Sequence, residues 1–240
     1  MKLLTSAAEL EQRVLELGFL PFFRNAIPGF SVEEMADPAL WFAKDVDGPW
    51  EWKGPVARRR RCAYGKFYAG KAMFVSMEWF PHFANWRRTS RAIEGFSGGD
   101  VSPQAVLEAV RECGSVLSPE LKRMFDALPA RKRTATDLVD LTGLGDAGYK
   151  FKRNSLERAL AALQMGTLIA IDDFEYATTR SGCPYGWGLA RYSTPEELFG
   201  PGFMEPVAGT TPVESYRLMC AWLEKLLPQA GQRSITALLR

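Results

Sequence analysis

The stretch from Asp47 to Phe67, DGPWEWKGPVARRRRCAYGKF, gathers more reactive and charged side chains than any other span of the chain. Glu51 stands between Trp50 and Trp52. A carboxylate held beside indole rings can work as a general acid or base, because an apolar setting favours its protonated form. Lys53 follows directly, and Arg58, Arg59, Arg60 and Arg61 then run consecutively with no acid within six residues on either side. Four adjacent guanidiniums suit phosphate contact. The alternative is an exposed loop balanced by Asp45, Asp47 and Glu51. Trp50 and Trp52 share a face if this stretch is a strand, and there they could stack on an unpaired base. Tryptophan more commonly belongs to the core. The stretch is therefore expected to anchor inward through its indoles and to present charge outward.

The charge is segregated. The 240 residues carry a formal net charge of +2, yet residues 49 to 91 hold ten cations against Glu51 and Glu78. That surplus of eight includes Lys53, Lys66, Arg87 and Arg88 and points to a positive face for a polyanion. In EWFPHFANWRR, Trp79, Phe80, Phe83 and Trp86 recur at three- to four-residue spacing. The rings are expected in the core, with Arg87 and Arg88 extending the positive surface. Trp50, Trp52 and Trp79 are also candidates to line a pocket around Glu51, the one candidate catalytic residue.

Other chemistries are disfavoured. The cysteines at 62, 113, 183 and 220 form no C-x-x-C pair, and His82 is the sole histidine, so neither a metal site nor a disulfide framework is expected. G-x-S-x-G, P-loop, H-E-x-x-H and G-x-G-x-x-G patterns are absent, and no cofactor is expected. Asp172, Asp173 and Glu175 cluster where a strand is expected to end in water. The opening MKLLTSAAELEQ lacks an apolar segment before its acids, and no apolar run reaches the roughly 20 residues of a membrane span. The expectation is a soluble cytoplasmic protein without a membrane partner.

The positioning elements come next. Capping boxes at Ser6–Glu9 and Ser31–Glu34 each open a helix. The apolar segment 17–30, broken by Pro21 and Pro28, reads as a buried turn. Residues 66–80 fit a strand or a buried helix equally well, and SGGD at 97–100 is the candidate boundary between domains. Ser102-Pro103 and Ser118-Pro119 start two helices, with Val106, Leu107, Val110, Cys113, Leu121, Met124 and Phe125 among the residues expected inward. Thr134–Asp137 opens a short helix that ends at Gly143. A longer helix over about 149–165 leaves Lys150, Asn154, Glu157 and Arg158 outward; Asn and the cations suit base edges and phosphates. Strands at 167–177 and 187–193 flank a turn that carries Arg180. Helices followed by a hairpin is the order of a winged helix. Thr194 and Thr211 cap two further helices, the second with Tyr216, Cys220, Leu223 and Leu227 at helical spacing.

The motifs LGFLPFF, IPGFSVEE, DGPWEWKGP, YGKFYAGKAMFVSMEWFPHFANWRR, LQMGTLIAIDDF and YGWGLARYSTPEE occur in this order. In them the chain resembles the AlkZ-related proteins, compact bacterial relatives of the winged-helix DNA glycosylase superfamily, over roughly residues 10 to 200. The resemblance implies tandem winged helices and descent from proteins that remove alkylated or crosslinked bases from DNA. Glycosylases similar to this chain use a Gln-x-Gln or Gln-x-Asp pair just after an early Leu-Gly turn. Pro21 and Phe23 occupy the matching place, and none of the five glutamines forms such a pair.

The expectation is a mainly α fold with small β-hairpins (α+β), in tandem winged-helix-like form. A basic, aromatic-rich unit spans 1–98, a second winged helix 99–200 and a helical segment 201–240. The function expected is DNA binding without the glycosylase catalytic pair. The alternatives are an enzyme rearranged around Glu51 and a protein-interaction scaffold.

Overall fold

A computed structural model describes residues 3–43, 46–90, 101–126, 147–180 and 184–240. The expected boundary at 97–100, the short helix over 134–143 and the tip of the late hairpin lie outside these residues. The fold is α+β, as expected: helices carry two small antiparallel sheets.

Helix α1 (Ala7–Leu17) starts where the Ser6 hydroxyl accepts the Glu9 N–H, and Gly18 ends it at φ 78°. Strand β1 (Phe19–Pro21) follows, so the segment expected as a turn begins as a strand. Helix α2 (Val32–Met35) is capped by Ser31. A 3-10 turn over Pro38–Phe42 leads to helix α3 (Pro49–Arg58). Strands β2 (Cys62–Tyr68) and β3 (Lys71–Ser76) form a hairpin, and helix α4 (Phe80–Ser90) runs on from it. Residues 66–76 are thus a strand, a turn and a second strand, and 77–80 turn into α4. β-Branched and aromatic side chains fit a pleated, half-buried surface.

The same order recurs downstream. Helix α5 (Pro103–Cys113), strand β4 (Ser115–Leu117), helix α6 (Ser118–Asp126), helix α7 (Ala147–Met165) and the hairpin β5 (Ala170–Thr178) and β6 (Pro184–Ser193) succeed one another. Both sheets place the short early strand beside the last strand, in the orders β1-β3-β2 and β4-β6-β5. Within the second half two expectations fail. Cys113 and Met124 are exposed, because the chain leaves α5 at Gly114 for β4 and only Leu121 of α6 is fully buried. Helices α8 (Pro195–Phe199), α9 (Pro212–Leu226) and α10 (Gln232–Leu239) complete the chain, with α9 packed on α4. One contiguous core draws Phe19, Phe74 and Phe83 from the first half, Val110 and Leu163 from the second, and Leu223 and Leu238 from the end.

Arg87, expected on the positive surface, is fully buried at the centre of this arrangement. Its Nε donates to the Leu239 carbonyl at 2.8 Å, Nη1 to Met165 at 2.8 Å and Nη2 to Phe67 at 2.9 Å; its guanidinium lies 4.3 Å from the Phe83 ring centroid. Met165 and Leu239 end α7 and α10, where a helix leaves carbonyls without internal donors. Phe67 lies on β2, an edge strand of its sheet. The planar, multi-donor guanidinium satisfies three separate elements at once, and a surface position could not do this. Arg87→Met is expected to strand those acceptors and to lower unfolding stability by about 3 kcal/mol or more. Urea denaturation measures this; a loss below about 1 kcal/mol would contradict the role.

An aromatic cleft along helix α3

Helix α3 orders the candidate site. Gly48 precedes it, and the Glu51 carboxylate turns back to accept the Gly48 N–H at 2.9 Å. Glu51 is exposed and bound to its own helix terminus, not enclosed by the two indoles as a catalytic carboxylate would be. Gly48 also permits a close approach: a Cβ there would lie 1.9 Å from the Leu40 carbonyl oxygen. That contact seats the 3-10 turn, and with it Trp41, against the start of α3.

Because the segment is helical, Trp50 and Trp52 point apart rather than sharing a face. Trp52 is buried and donates its Nε1–H to the Asp47 carbonyl at 2.9 Å. Trp50 is half-buried among other rings. Its centroid lies 5.6 Å from Trp41, 5.8 Å from Phe23 and 5.6 Å from Phe22. Phe22, Tyr64 and Phe74 form a floor beneath the half-buried Phe23, Trp41 and Trp50, and Phe174 of β5 adjoins it through Tyr64. Tyr176 closes one side, its hydroxyl donating to the Trp50 carbonyl at 3.5 Å. Phe23 therefore stands inside this cluster, and Pro21 is buried in β1. Trp79 does not join the cleft: it stacks on Trp222 at 5.4 Å, with Phe19 and His82 as its other ring neighbours.

Lys53 is the cation of this cleft. It is 6% exposed, and its Nζ lies 4.6 Å from the centroids of both the Trp50 and Phe174 rings. Burial pulls its pKa down to about 8, partly opposed by the Glu51 carboxylate. No carboxylate lies within ion-pairing distance of Lys53 among the described residues. Tyr176 is pushed up, first by burial and then by the negative field of Glu51, with smaller upward contributions from Asp173 and Asp47; the Arg58 guanidinium opposes them.

The arginine run turns out to be paired. Arg58 meets Asp173 at 2.5 Å, Arg60 meets Asp172 at 3.5 Å, and Arg59 and Arg61 share Glu11 of α1 at 3.0 and 3.5 Å. Among the described residues the balancing acids are distant in sequence, not Asp47 or Glu51; Asp45 lies outside them. Asp172 and Asp173 are likewise not a solvated strand end. The β5–β6 register shifts between Ile171 and Asp173. Such a bulge lets two consecutive carboxylates reach one charge cluster, where a regular pleat would send them to opposite faces. Glu175 pairs with Arg191. All four guanidiniums nevertheless keep between 48% and 59% of their side-chain surface exposed.

The remaining expected contacts are scattered. Lys66 is half-buried, its backbone N–H held by the Gln164 side chain. Arg88 is taken up by Glu196 at 2.8 Å and the Thr167 carbonyl at 3.0 Å. Arg158 is exposed on α7, with Ser155 Oγ at 3.5 Å, and Arg180 is exposed in the turn that follows β5. Lys150 and Asn154 lie on α7, but their side chains are outside the described residues. Sequence reasoning missed Trp41, Phe174, Tyr176 and Glu11. The spacing Trp50, Gly54, Arg58 marks one face of a helix and was the available signal; an added Cβ on Gly54 would sit 3.9 Å from Asp173 and Phe174.

A lysine whose folded-state pKa lies below its unfolded value binds fewer protons when folded, so its contribution to stability rises with pH between about 8 and 10.5. Cys62, raised to about 12, and the buried Tyr64, also raised, oppose this above about pH 9. The difference between wild type and Lys53→Met isolates the lysine. The variant is expected to be the more stable at pH 7, and its advantage should shrink by pH 9 in parallel thermal melts. A difference independent of pH would contradict a desolvated amine.

Among the described residues no group of three or more His, Cys, Asp or Glu side chains could hold a metal ion, and no helix is long and apolar enough to cross a membrane. No curated protein and no solved structure matches the chain. A family model does, and it spans the α1 end, the aromatic cleft, both sheets and the closing helices. Matched by the AlkZ-related model over residues 4–240, the chain belongs to that family.

Proposed function

We propose that the chain is a DNA-binding protein of tandem winged-helix architecture, related to the glycosylases of alkylation and crosslink repair but without their Gln-x-Gln or Gln-x-Asp pair. It receives an unpaired base on the Phe23–Trp41–Trp50 rings while the arginine run engages the phosphate backbone. The observation that carries this reading is the layout of α3. Half-buried rings lie at its first turn and four half-exposed guanidiniums gather at its end, about 12 Å away for eight residues of helix. One nucleotide step with its flanking phosphates fits that scale.

Three features support the reading. The repeated order of helix, short strand, helices and hairpin fits two winged helices, with α3 and α7 in equivalent places. Family membership suggests a repair-related relative. The arginine cluster also keeps a positive surplus, since four guanidiniums share Glu11, Asp172 and Asp173. Each guanidinium has five N–H donors, and these pairs leave several of them for phosphate oxygens. Arg87, buried, and Lys53, held between rings, take no part in phosphate contact. Arg88, bound to Glu196 and Thr167, contributes little.

Fluorescence anisotropy with a duplex carrying one unpaired base tests the reading. Affinity is expected to fall steeply with salt, and Arg60→Gln and Arg61→Gln should each flatten the log–log slope by about one. Arg60 and Arg61 are each more than half exposed and Glu11 keeps Arg59, so both variants should fold. Trp50→Leu should lose about tenfold or more of the preference for the unpaired base over a matched duplex. Affinity unchanged across the salt series would remove nucleic-acid binding and leave an interaction scaffold.

A further inference from the structure

Lys53 is not explained by phosphate contact or by base stacking. A lysine amine normally reaches water or a carboxylate. Here it is enclosed between the Trp50 and Phe174 rings at 4.6 Å from each, in a residue only 6% exposed. Salt bridges hold every member of the adjacent arginine run, whereas Lys53 has no such partner among the described residues. Glu51, on its own helix, is the charged group that acts on Lys53, while Arg58, Asp173 and Asp47 act on the neighbouring Tyr176 of β5, and Tyr64 of β2 packs on Phe174. Asp173 is already engaged by Arg58, and Glu51 by the Gly48 N–H.

We infer that Lys53 is a nucleophilic amine that captures an aldehyde as a Schiff base, and that the aldehyde is the ring-opened deoxyribose of an abasic site in DNA. The source of the aldehyde rests on the DNA-binding reading above; the amine chemistry does not. The neutral Nζ donates its lone pair to the carbonyl carbon and the C=O π bond breaks towards oxygen. A proton passes from nitrogen to that oxygen to give a carbinolamine, and loss of hydroxyl as water leaves C=N. One amine and one aldehyde thus give one imine and one water, with no redox change. The ring faces exclude bulk water that would reverse the step, and their electron-rich faces stabilise the protonated imine as they do the ammonium.

The reactive form is accessible at neutral pH. With its pKa pulled down to about 8, about one Lys53 in ten is neutral at pH 7, against about one in three thousand for an ordinary lysine. Desolvation of an amine in an apolar setting is a standard route to a nucleophilic lysine.

The test is reductive trapping of the full chain with sodium cyanoborohydride, whose hydride converts the imine to a stable secondary amine. The protein is incubated separately with a duplex holding one abasic site, with the intact duplex and with propanal, then digested and mapped by mass spectrometry. Lys53 is expected to carry the deoxyribose adduct from the abasic duplex only. It should also carry the propanal adduct at least tenfold faster than the exposed Lys71. Lys53→Met and Lys53→Arg should abolish trapping by the abasic duplex, with Lys53→Arg keeping a cation between the rings as a control for folding. Labelling of Lys53 by propanal but not by the abasic duplex would keep the amine chemistry and reject DNA as the source. Labelling that follows surface exposure, with Lys53 no faster than Lys71, would overturn the inference.

Discussion

The site depends on ion pairs that fasten the end of α3 to two other parts of the chain. Glu11 of α1 takes Arg59 and Arg61, and the bulged Asp172–Asp173 step of β5 takes Arg60 and Arg58. The guanidiniums are half-exposed while Glu11 is nearly buried and Asp172 largely so, which sets the pairs between surface and buried ones. Their effect here is geometric. They draw β5 across α3 at Gly54, and the residue after Asp173 is Phe174, one of the two rings over Lys53. β5 is also held by its pairing with β6 and its packing on α3 and β2, and the ion pairs add to that seating beside Lys53. Arg60 adopts φ 56°, a left-handed conformation that turns the chain from α3 into β2 while its guanidinium stays with Asp172.

Arg87 works by a different principle in the same fold. The surface arginines match charge with charge, whereas Arg87 spends its donors on carbonyls at two helix ends and one edge strand. The partial negative charge of a helix C-terminus makes this a favourable seat for a cation. It also ties the C-terminal helix α10 to β2 and α7, so the closing segment is part of one core rather than an appendage. Among the described cations of residues 49–91, Arg87 serves internal hydrogen bonding, Arg58–Arg61 and Arg88 pair with acids distant in sequence, and Lys53 lies between rings. Only part of this positive charge faces outward.

Local signals were legible and long-range ones were not. Ser6, Ser31, Thr194 and Thr211 each accept the backbone N–H three residues on, as their capping patterns imply. Leu156, Leu160 and Leu163 form the inner face of α7, as their spacing implies. A capping residue acts within one turn, so its sequence context is its structural context. The partners of Arg58–Arg61 lie 48 residues or more away for Glu11 and more than 110 for the two aspartates. No periodicity encodes such contacts, and an arginine run without nearby acids looks the same whether its partner is a phosphate or a folded-back carboxylate. Arg87 and Arg88 show the same ambiguity at single-residue scale: both follow an apolar stripe, and one is fully buried while the other is half-buried.

The aromatic cleft bears on what chemistry the fold could retain. By its resemblance to winged-helix glycosylases the chain would carry Pro21 and Phe23 in place of their paired polar side chains, and Phe23 meets Phe22, Trp41 and Trp50 edge to face or tilted. Such ring pairs add about 0.5–1.5 kcal/mol each beyond their buried area, so the cluster is a rigid platform. Glutamines at those two positions would not by themselves activate a water, because the surrounding rings offer few acceptors to orient one and Glu51 is held at its helix terminus. An apolar wall that cannot position water can still lower the pKa of an amine. Phe23 packs on Trp50, and Trp50 is one of the two rings over Lys53.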